Sequence, residues 1–397
     1  MKKDKNYFQI KGKNAEKIVQ NLATKTFFTD WCYPNPLLPS GNELCDLLIM
    51  FDETVIIWQI KDLKLDKTGK YKKSEVDTNL RQISGAWRQI FELQTPIKLI
   101  NPRRGEEVID PKKIKKAFLI SALLGEGEDY FSAIEEVKGH DVHVFTRDFT
   151  QIVLNELDTI SDFCLYLERK EKLLTKGKRS LIVLGGEEEL LGIYIRENKT
   201  FGDFENADNI VLEEGIWKNL QKDPRYIKKK KMDEISYGWD SIIDRAHEGS
   251  PKYEIVAREL ARPNRFERRY LSKVFMDAHI RSHKDISGAD LYRRIMPSDG
   301  VTYCFLFMDD PEPRERRKSM LLAICYFARW KFPHNKKVIG IATEKKLRPT
   351  CSYDYVLMDK PVWTEKDEEI ATKIRQRTSM FKRPIIGQAD EDEYPLR

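Results

Sequence analysis

The sequence predicts a layered α/β protein, and three observations carry that expectation. Short strand-like apolar runs alternate with amphipathic helical patterns over about the first 205 residues. A predominantly helical stretch follows, over about residues 206–290. Strand and helix patterns then alternate again from about residue 291 to the end. The expected organisation is therefore 1–205, a helical connecting region 206–290, and a second α/β domain 291–397 of unknown role.

The elements follow from local pattern. Asn14 is placed to cap a helix over 15–27, with Ala15, Ile18, Val19 and Leu22 at helical spacing. Pro34, Pro36, Pro39 and Gly41 mark a turn-rich break. Two apolar runs, Leu44–Phe51 and Val55–Lys61, flank the short polar link Asp52-Glu53-Thr54 and read as a hairpin. Residues 64–78 read as a loop, and 80–93 as a helix with Leu80, Ile83, Trp87, Ile90 and Phe91 on one face. Further strands are expected at 117–124, 142–146 and 181–184. One long helix is expected over 152–174, and another after Gly186. Beyond residue 205, helices are expected near 253–260 and 266–283. They are followed by strand 302–308, helix 314–330, strands 337–341 and 355–358, and helix 365–377. The acidic tail 390–393 is expected to fray.

Composition bounds the function. The chain has 397 residues, with 41% apolar and 34% charged residues; the averages are about 45–50% and 25%. No run approaches the ~18 apolar residues of a membrane helix, and Met1–Tyr7 lacks the apolar stretch of a signal peptide. A cytoplasmic protein without membrane association is expected. Cys32, Cys45, Cys164, Cys304, Cys325 and Cys351 are scattered, which argues for reduced, buried thiols rather than a disulfide framework or zinc site. The net charge of +6 is mild, but seven basic against four acidic residues lie between Lys61 and Arg81. Seven against three lie between Lys98 and Lys116. These stretches flank the most suggestive segment and raise the expectation of a polyanionic partner.

That segment is the hairpin. If Asp52 and Glu53 form a two-residue turn, Phe51 pairs with Thr54 and Asp46 falls opposite Gln59. Gln59 and Lys61 point to one face because strand side chains alternate. Asp46, Gln59 and Lys61 then converge at the hairpin's open end. Three polar groups closing two apolar strands need partners, either one another or a ligand. A carboxylate, an amide oxygen and the Ile60 carbonyl make an oxygen-rich Mg²⁺ site, with Lys61 beside an attacking water. Glu43, three residues before Asp46, faces away in an unbroken strand and is expected at the rim.

An acidic residue on one strand, Gln-x-Lys on the next and a Glu on the preceding helix resemble the PD-(D/E)xK nuclease superfamily, in its Gln-x-Lys, Mrr-like form. Here the motif reads Asp46, twelve residues, Gln59-Ile60-Lys61, with Glu16 ahead of it. The likeness covers about residues 10–125, with Cys45 where a proline usually precedes the acid. It implies a restriction-endonuclease-like mixed sheet flanked by helices, and a Mg²⁺-dependent DNA endonuclease, with Mn²⁺ able to substitute. The role implied is restriction or anti-phage defence. Asp46, Gln59, Lys61 and Glu16 would be catalytic, and Asp46, Gln59 and Ile60 would hold metal. Gln82, matching a site-facing Gln of the family, joins Lys64, Arg81, Arg103 and Arg104 as expected DNA contacts. Duplex cutting favours a homodimer, and a partner protein or activator is a further expectation. The alternatives are a nucleic-acid-binding or sensor module on a degenerate nuclease fold, and an RNA or junction nuclease.

Three further segments carry weaker signals. Leu184-Gly185-Gly186-Glu187 reads as a plain strand-to-helix turn. His279 and His283 lack a third ligand and read as ordinary histidines. Arg262, Arg265, Arg268 and Arg269 grip phosphate, grip a second chain, or complete ion pairs with nearby glutamates.

Overall fold

The computed structural model describes residues 5–63, 71–93, 95–125, 133–174, 180–207, 209–249, 251–284, 291–309, 314–346, 351–378, 386–387 and 391–394, with side chains from residue 16 onward except at positions 180, 181 and 183. The chain divides into two compact units, Met1–Ile227 and Lys228–Arg397. The helical stretch expected as a connector thus falls mostly within the second unit.

The first unit begins with α1 (Lys5–Phe27), β1 (Cys32–Pro34), β2 (Leu47–Phe51) and β3 (Thr54–Lys61). Next come α2 (Lys73–Phe91), the hairpin β4 (Ile97–Asn101) and β5 (Gly105–Ile109), and β6 (Lys116–Leu123). They are followed by β7 (Ile134–Val137), β8 (His140–Thr146), α3 (Arg147–Glu156) and α4 (Ile160–Leu174). The unit closes with β9 (Ser180–Val183), α5 (Glu187–Arg196), β10 (Asn209–Leu212) and α6 (Ile216–Leu220). Its main sheet is mixed, in the order β1-β2-β3-β6-β8-β7. β3, β6 and β8 are parallel neighbours, with antiparallel strands at both edges.

Alternation along β3 sorts its side chains between two cores. Val55 and Ile57 pack with Ile83, Ala86 and Ile90 of α2. On the other face Trp58 stacks on Phe163 of α4 and meets Phe145 of β8 edge-on. Phe27 of α1 packs edge-on against the same Phe163, at 5.2 Å between ring centroids. Fully burying rings of this size contributes about 1.5–3 kcal/mol apiece.

Two expectations about helices are corrected. Asn14 is no cap, because α1 runs through it from Lys5. The long helix 152–174 is two helices, interrupted at Leu157–Thr159. Thr159 Oγ accepts from the Asp162 amide at 3.1 Å and donates to the Asp162 carboxylate at 2.8 Å, so a new helix is capped there. The hydrophobic period of α4 continues that of α3 closely enough to mask the break.

In the second unit, α7 (Pro224–Asp233), which begins just before the division, is followed by α8 (Tyr237–Gly249), α9 (Glu254–Ala261) and α10 (Arg265–Lys284). Then come β11 (Leu291–Pro297), β12 (Val301–Met308), α11 (Arg314–Lys331), β13 (Lys337–Glu344), β14 (Asp354–Asp359) and α12 (Glu365–Arg377). The strands form one sheet, β11-β12-β13-β14, whose central pair is parallel. Cys304, Leu306 and Met308 face α11. Tyr303, Phe305 and Phe307 face Trp239 of α8 and Phe275 of α10. A Cβ on Gly340 would lie 2.7 Å from Cys325 Sγ, so only glycine lets α11 approach β13 this closely.

The arginine cluster is internal to this unit. Arg265 and Arg268 both reach Asp240, at 2.8 and 2.9 Å, and Arg269 reaches Asp233 at 3.0 Å. Arg262 pairs with Glu259 at 3.1 Å. Of those alternatives, ion pairing is the one observed, with Asp233 and Asp240 as well as Glu259. The tail is held as well. Arg269 donates to the carbonyls of Asp392 and Glu393, and Lys273 pairs with Glu391. His279 Nε2 lies 3.0 and 2.9 Å from the Glu344 and Lys345 carbonyls and so carries the proton, as an ordinary core histidine does.

No described helix is long and apolar enough to cross a membrane. The Gly185-Gly186 turn likewise serves the fold. Glu187 Oε1 accepts from Lys170 at 2.5 Å and from Tyr166 at 2.8 Å, all inside the first unit. Removing one member of a buried ion pair strands the other charge. Lys170→Met should therefore cost about 3–5 kcal/mol in urea unfolding, and the double variant Lys170→Met/Glu187→Met should recover most of it. A double variant as unstable as the single one would contradict this account of the pair.

Candidate metal centre at the hairpin's open end

The register of β2 and β3 decides the site. Leu47 pairs with Trp58 and so on to Phe51 with Thr54, as the two-residue turn requires. Asp52 closes the turn at φ +52°, a left-handed value that aspartate tolerates. Extending the register by one residue puts Asp46 opposite Gln59. The strand expected from Leu44 starts only at Leu47, because the chain bends at Asp46.

Asp46 is 7% exposed and Gln59 is 9% exposed. Asp46 Oδ2 accepts from Gln59 Nε2 at 2.8 Å and from the Ile60 amide at 2.5 Å. Oδ1 accepts nothing among the described residues, which leaves it available to a ligand. Burial pushes the Asp46 pKa up to about 7. The Ile60 N–H and the Lys61 ammonium oppose that rise, while the Glu16 and Glu43 carboxylates add to it. Lys61 is half-buried and makes no ion pair among the described residues.

The bend brings Glu43 round. Its Oε1 accepts from Asn35 Nδ2 at 2.8 Å, and Glu16 Oε2 lies 3.3 Å from the same nitrogen. Gln20, one turn along α1 from Glu16, donates to Asn35 Oδ1 at 2.5 Å and to the Asp46 carbonyl at 3.1 Å. Glu16, Asp46, Gln59, Ile60 and Lys61 are thus brought to one place, together with Gln20, Asn35 and Glu43, which sequence reasoning left out or set at the rim. The signal for Gln20 was its i, i+4 spacing from Glu16.

The expected DNA contacts fare differently. Gln82 is exposed and makes no hydrogen bond among the described residues. Asn79 is an inward polar residue of α2. It is fully buried and donates to the Gln59 carbonyl at 3.3 Å and to Ser121 Oγ at 2.8 Å. It heads the buried stripe Asn79, Ile83, Ala86, Ile90, and that position was the readable sign. Arg81 folds back on its own helix, to the Asp77 carbonyl and Thr78 Oγ. Arg103 pairs with Asp30 at 2.7 Å, and Arg104 pairs with Glu107 at 2.7 Å. Both arginines tie down the β4–β5 hairpin, Arg104 half-buried and Arg103 exposed. Lys64 lies outside the described residues.

The donors are oxygens of the kind a hard divalent cation takes, though the Glu16, Glu43 and Asp46 carboxylates do not all converge within ligating distance of one another. Carboxylates from Asp46, Glu16 and Glu43 gather near one ammonium, which leaves negative charge for a cation to balance. Ile60 carries its carbonyl on the same strand edge as the N–H that meets Asp46. Gln59 turns Nε2 toward Asp46, so holding a cation requires a half-turn of its amide to present Oε1.

No family model, curated protein or solved structure matches the chain.

The raised Asp46 pKa makes stability depend on pH. A folded-state pKa above the unfolded value favours the native state at low pH, and that contribution is lost as pH rises through about 7. Asp46→Asn cannot ionise. In chelator-treated protein it should match wild type near pH 4 and exceed it above pH 8, by up to about 4 kcal/mol in urea unfolding. Equal stability of the two proteins at both pH values would show that Asp46 is not strained by burial.

Proposed function

We propose that the first unit is a Mg²⁺-dependent DNA endonuclease, in which Asp46, Gln59, Ile60 and Lys61 form the reacting centre and Glu16 supports it. The observation that carries this reading is the Asp46 carboxylate, buried against Gln59 and the Ile60 amide with one oxygen free and Lys61 beside it. A helix carrying Glu16, the apolar hairpin β2–β3 and the amphipathic helix α2 follow one another in the order that the PD-(D/E)xK resemblance implies. A role in restriction or anti-phage defence follows from that resemblance alone.

The chemistry is hydrolysis of a phosphodiester, in which water attacks phosphorus and a sugar oxygen leaves. A bound Mg²⁺ or Mn²⁺ supplies Lewis acidity and lowers the pKa of coordinated water. Asp46 contributes the charge that holds it, while the Gln59 amide oxygen and the Ile60 carbonyl contribute neutral oxygens. Lys61 orients the attacking water and stabilises the negative charge that builds on phosphate. Asn79 fixes the main chain at Gln59 and ties it to β6 through Ser121. Asp46 must lose its proton before it can hold a cation, so activity should rise with pH through neutrality.

The test is cleavage of plasmid and phage DNA with Mg²⁺ or Mn²⁺. Asp46→Ala and Lys61→Ala should each lower the rate by about 10²-fold or more, the scale of losing one preorganised stabilising group. Glu16→Gln should cost less. Metal-dependent cutting that survives both alanine variants would place the reaction elsewhere. Intact DNA with wild type over the full range of metals would favour a binding or sensor module on the same fold.

A further inference from the structure

Asn35 joins three segments of chain with one side chain. It follows β1, between Pro34 and Pro36, at φ +48°, a left-handed conformation that asparagine tolerates better than most residues. Its main-chain N–H donates to the Asp46 carbonyl at 3.0 Å. Its Nδ2 donates to Glu43 Oε1 at 2.8 Å and lies 3.3 Å from Glu16 Oε2, and its Oδ1 accepts from Gln20 at 2.5 Å. The flanking prolines restrict the backbone on either side, so the amide is aimed before any ligand arrives.

The arrangement answers a chemical shortage. Gln59 is neutral where a second carboxylate would strengthen a divalent-cation site. Glu43 and Glu16 carry the needed charge, yet two carboxylates side by side repel, and Glu43 is exposed and free to swing into water. A neutral N–H donor bonded to both keeps them together. We infer that Asn35 is a positioning residue of the centre, holding Glu43 and Glu16 beside Asp46 so that they make up the negative charge Gln59 lacks. The inference rests on the cation-binding reading of the site.

The test is Mn²⁺ binding to the full chain without DNA, followed by calorimetry. Asn35→Gly keeps the left-handed backbone and removes only the amide. It should weaken Mn²⁺ binding by about 10–100-fold, the usual scale for losing a residue that orients ligands. Gln20→Met, which leaves Asn35 in place but unbraced, should show a smaller loss. In cleavage assays the Mn²⁺ concentration for half-maximal rate should rise by the same factor while KM for DNA stays unchanged, a split that general loosening of the fold would not produce. Unchanged Mn²⁺ affinity in Asn35→Gly, with wild type binding normally, overturns the positioning role and leaves the centre standing. If Asn35→Gly fails to fold, unchanged affinity in Gln20→Met overturns it instead. Absence of Mn²⁺ binding by wild type overturns the cation reading itself.

Discussion

The turn at Asp52–Glu53 fixes which residues of β2 and β3 meet, and the candidate centre depends on that register. A strand slipped by one residue would turn its whole apolar set to the opposite face. Here both faces of β3 are buried, under α2 on one side and around Trp58, Phe145 and Phe163 on the other. Slippage would therefore disrupt two cores at once. The same packing that makes the sheet stable delivers Asp46 to Gln59 and the Ile60 amide, so site geometry is a by-product of core burial.

The centre also shows how a fold can keep a carboxylate under strain. Asp46 is deprived of water and placed near two other carboxylates, with Lys61 as the opposing charge. Its hydrogen-bond donors are amides, which satisfy the oxygens geometrically without neutralising them. Gln59 and the Ile60 N–H hold the side chain, Gln20 and Asn35 hold the main chain, and Asn79 holds the strand beneath. Such a site is short of positive charge, and its Gln59 amide is the part that would have to turn to admit a cation.

Much of this was legible in the sequence because it follows from periodicity. Two continuous apolar runs and the two-residue turn between them were enough to pair Asp46 with Gln59. The bend at Asp46 was not legible, since nothing in Asn42–Cys45 breaks strand character. It is the bend that brings Glu43 to Asn35. Arg103 and Arg104 looked like phosphate contacts because their partners, Asp30 and Glu107, belong to other segments or to a hairpin without a strong strand pattern. Gln82 and Asn79 lie close on α2, and only packing against Ser121 separates the inward residue from the exposed one. In the second unit the arginine-rich start of α10 was ambiguous for the same reason, and Asp233 and Asp240 resolved it.

The claim at the centre of this account is that Asp46 holds a proton in the free protein and gives it up to a divalent cation. Calorimetric titration of Mn²⁺ near pH 6, repeated in buffers of different ionisation enthalpy, counts the protons released on binding. The account predicts close to one proton per bound ion, and weakened binding without that proton in Asp46→Asn. Binding with no proton release, or release that persists in Asp46→Asn, would contradict it.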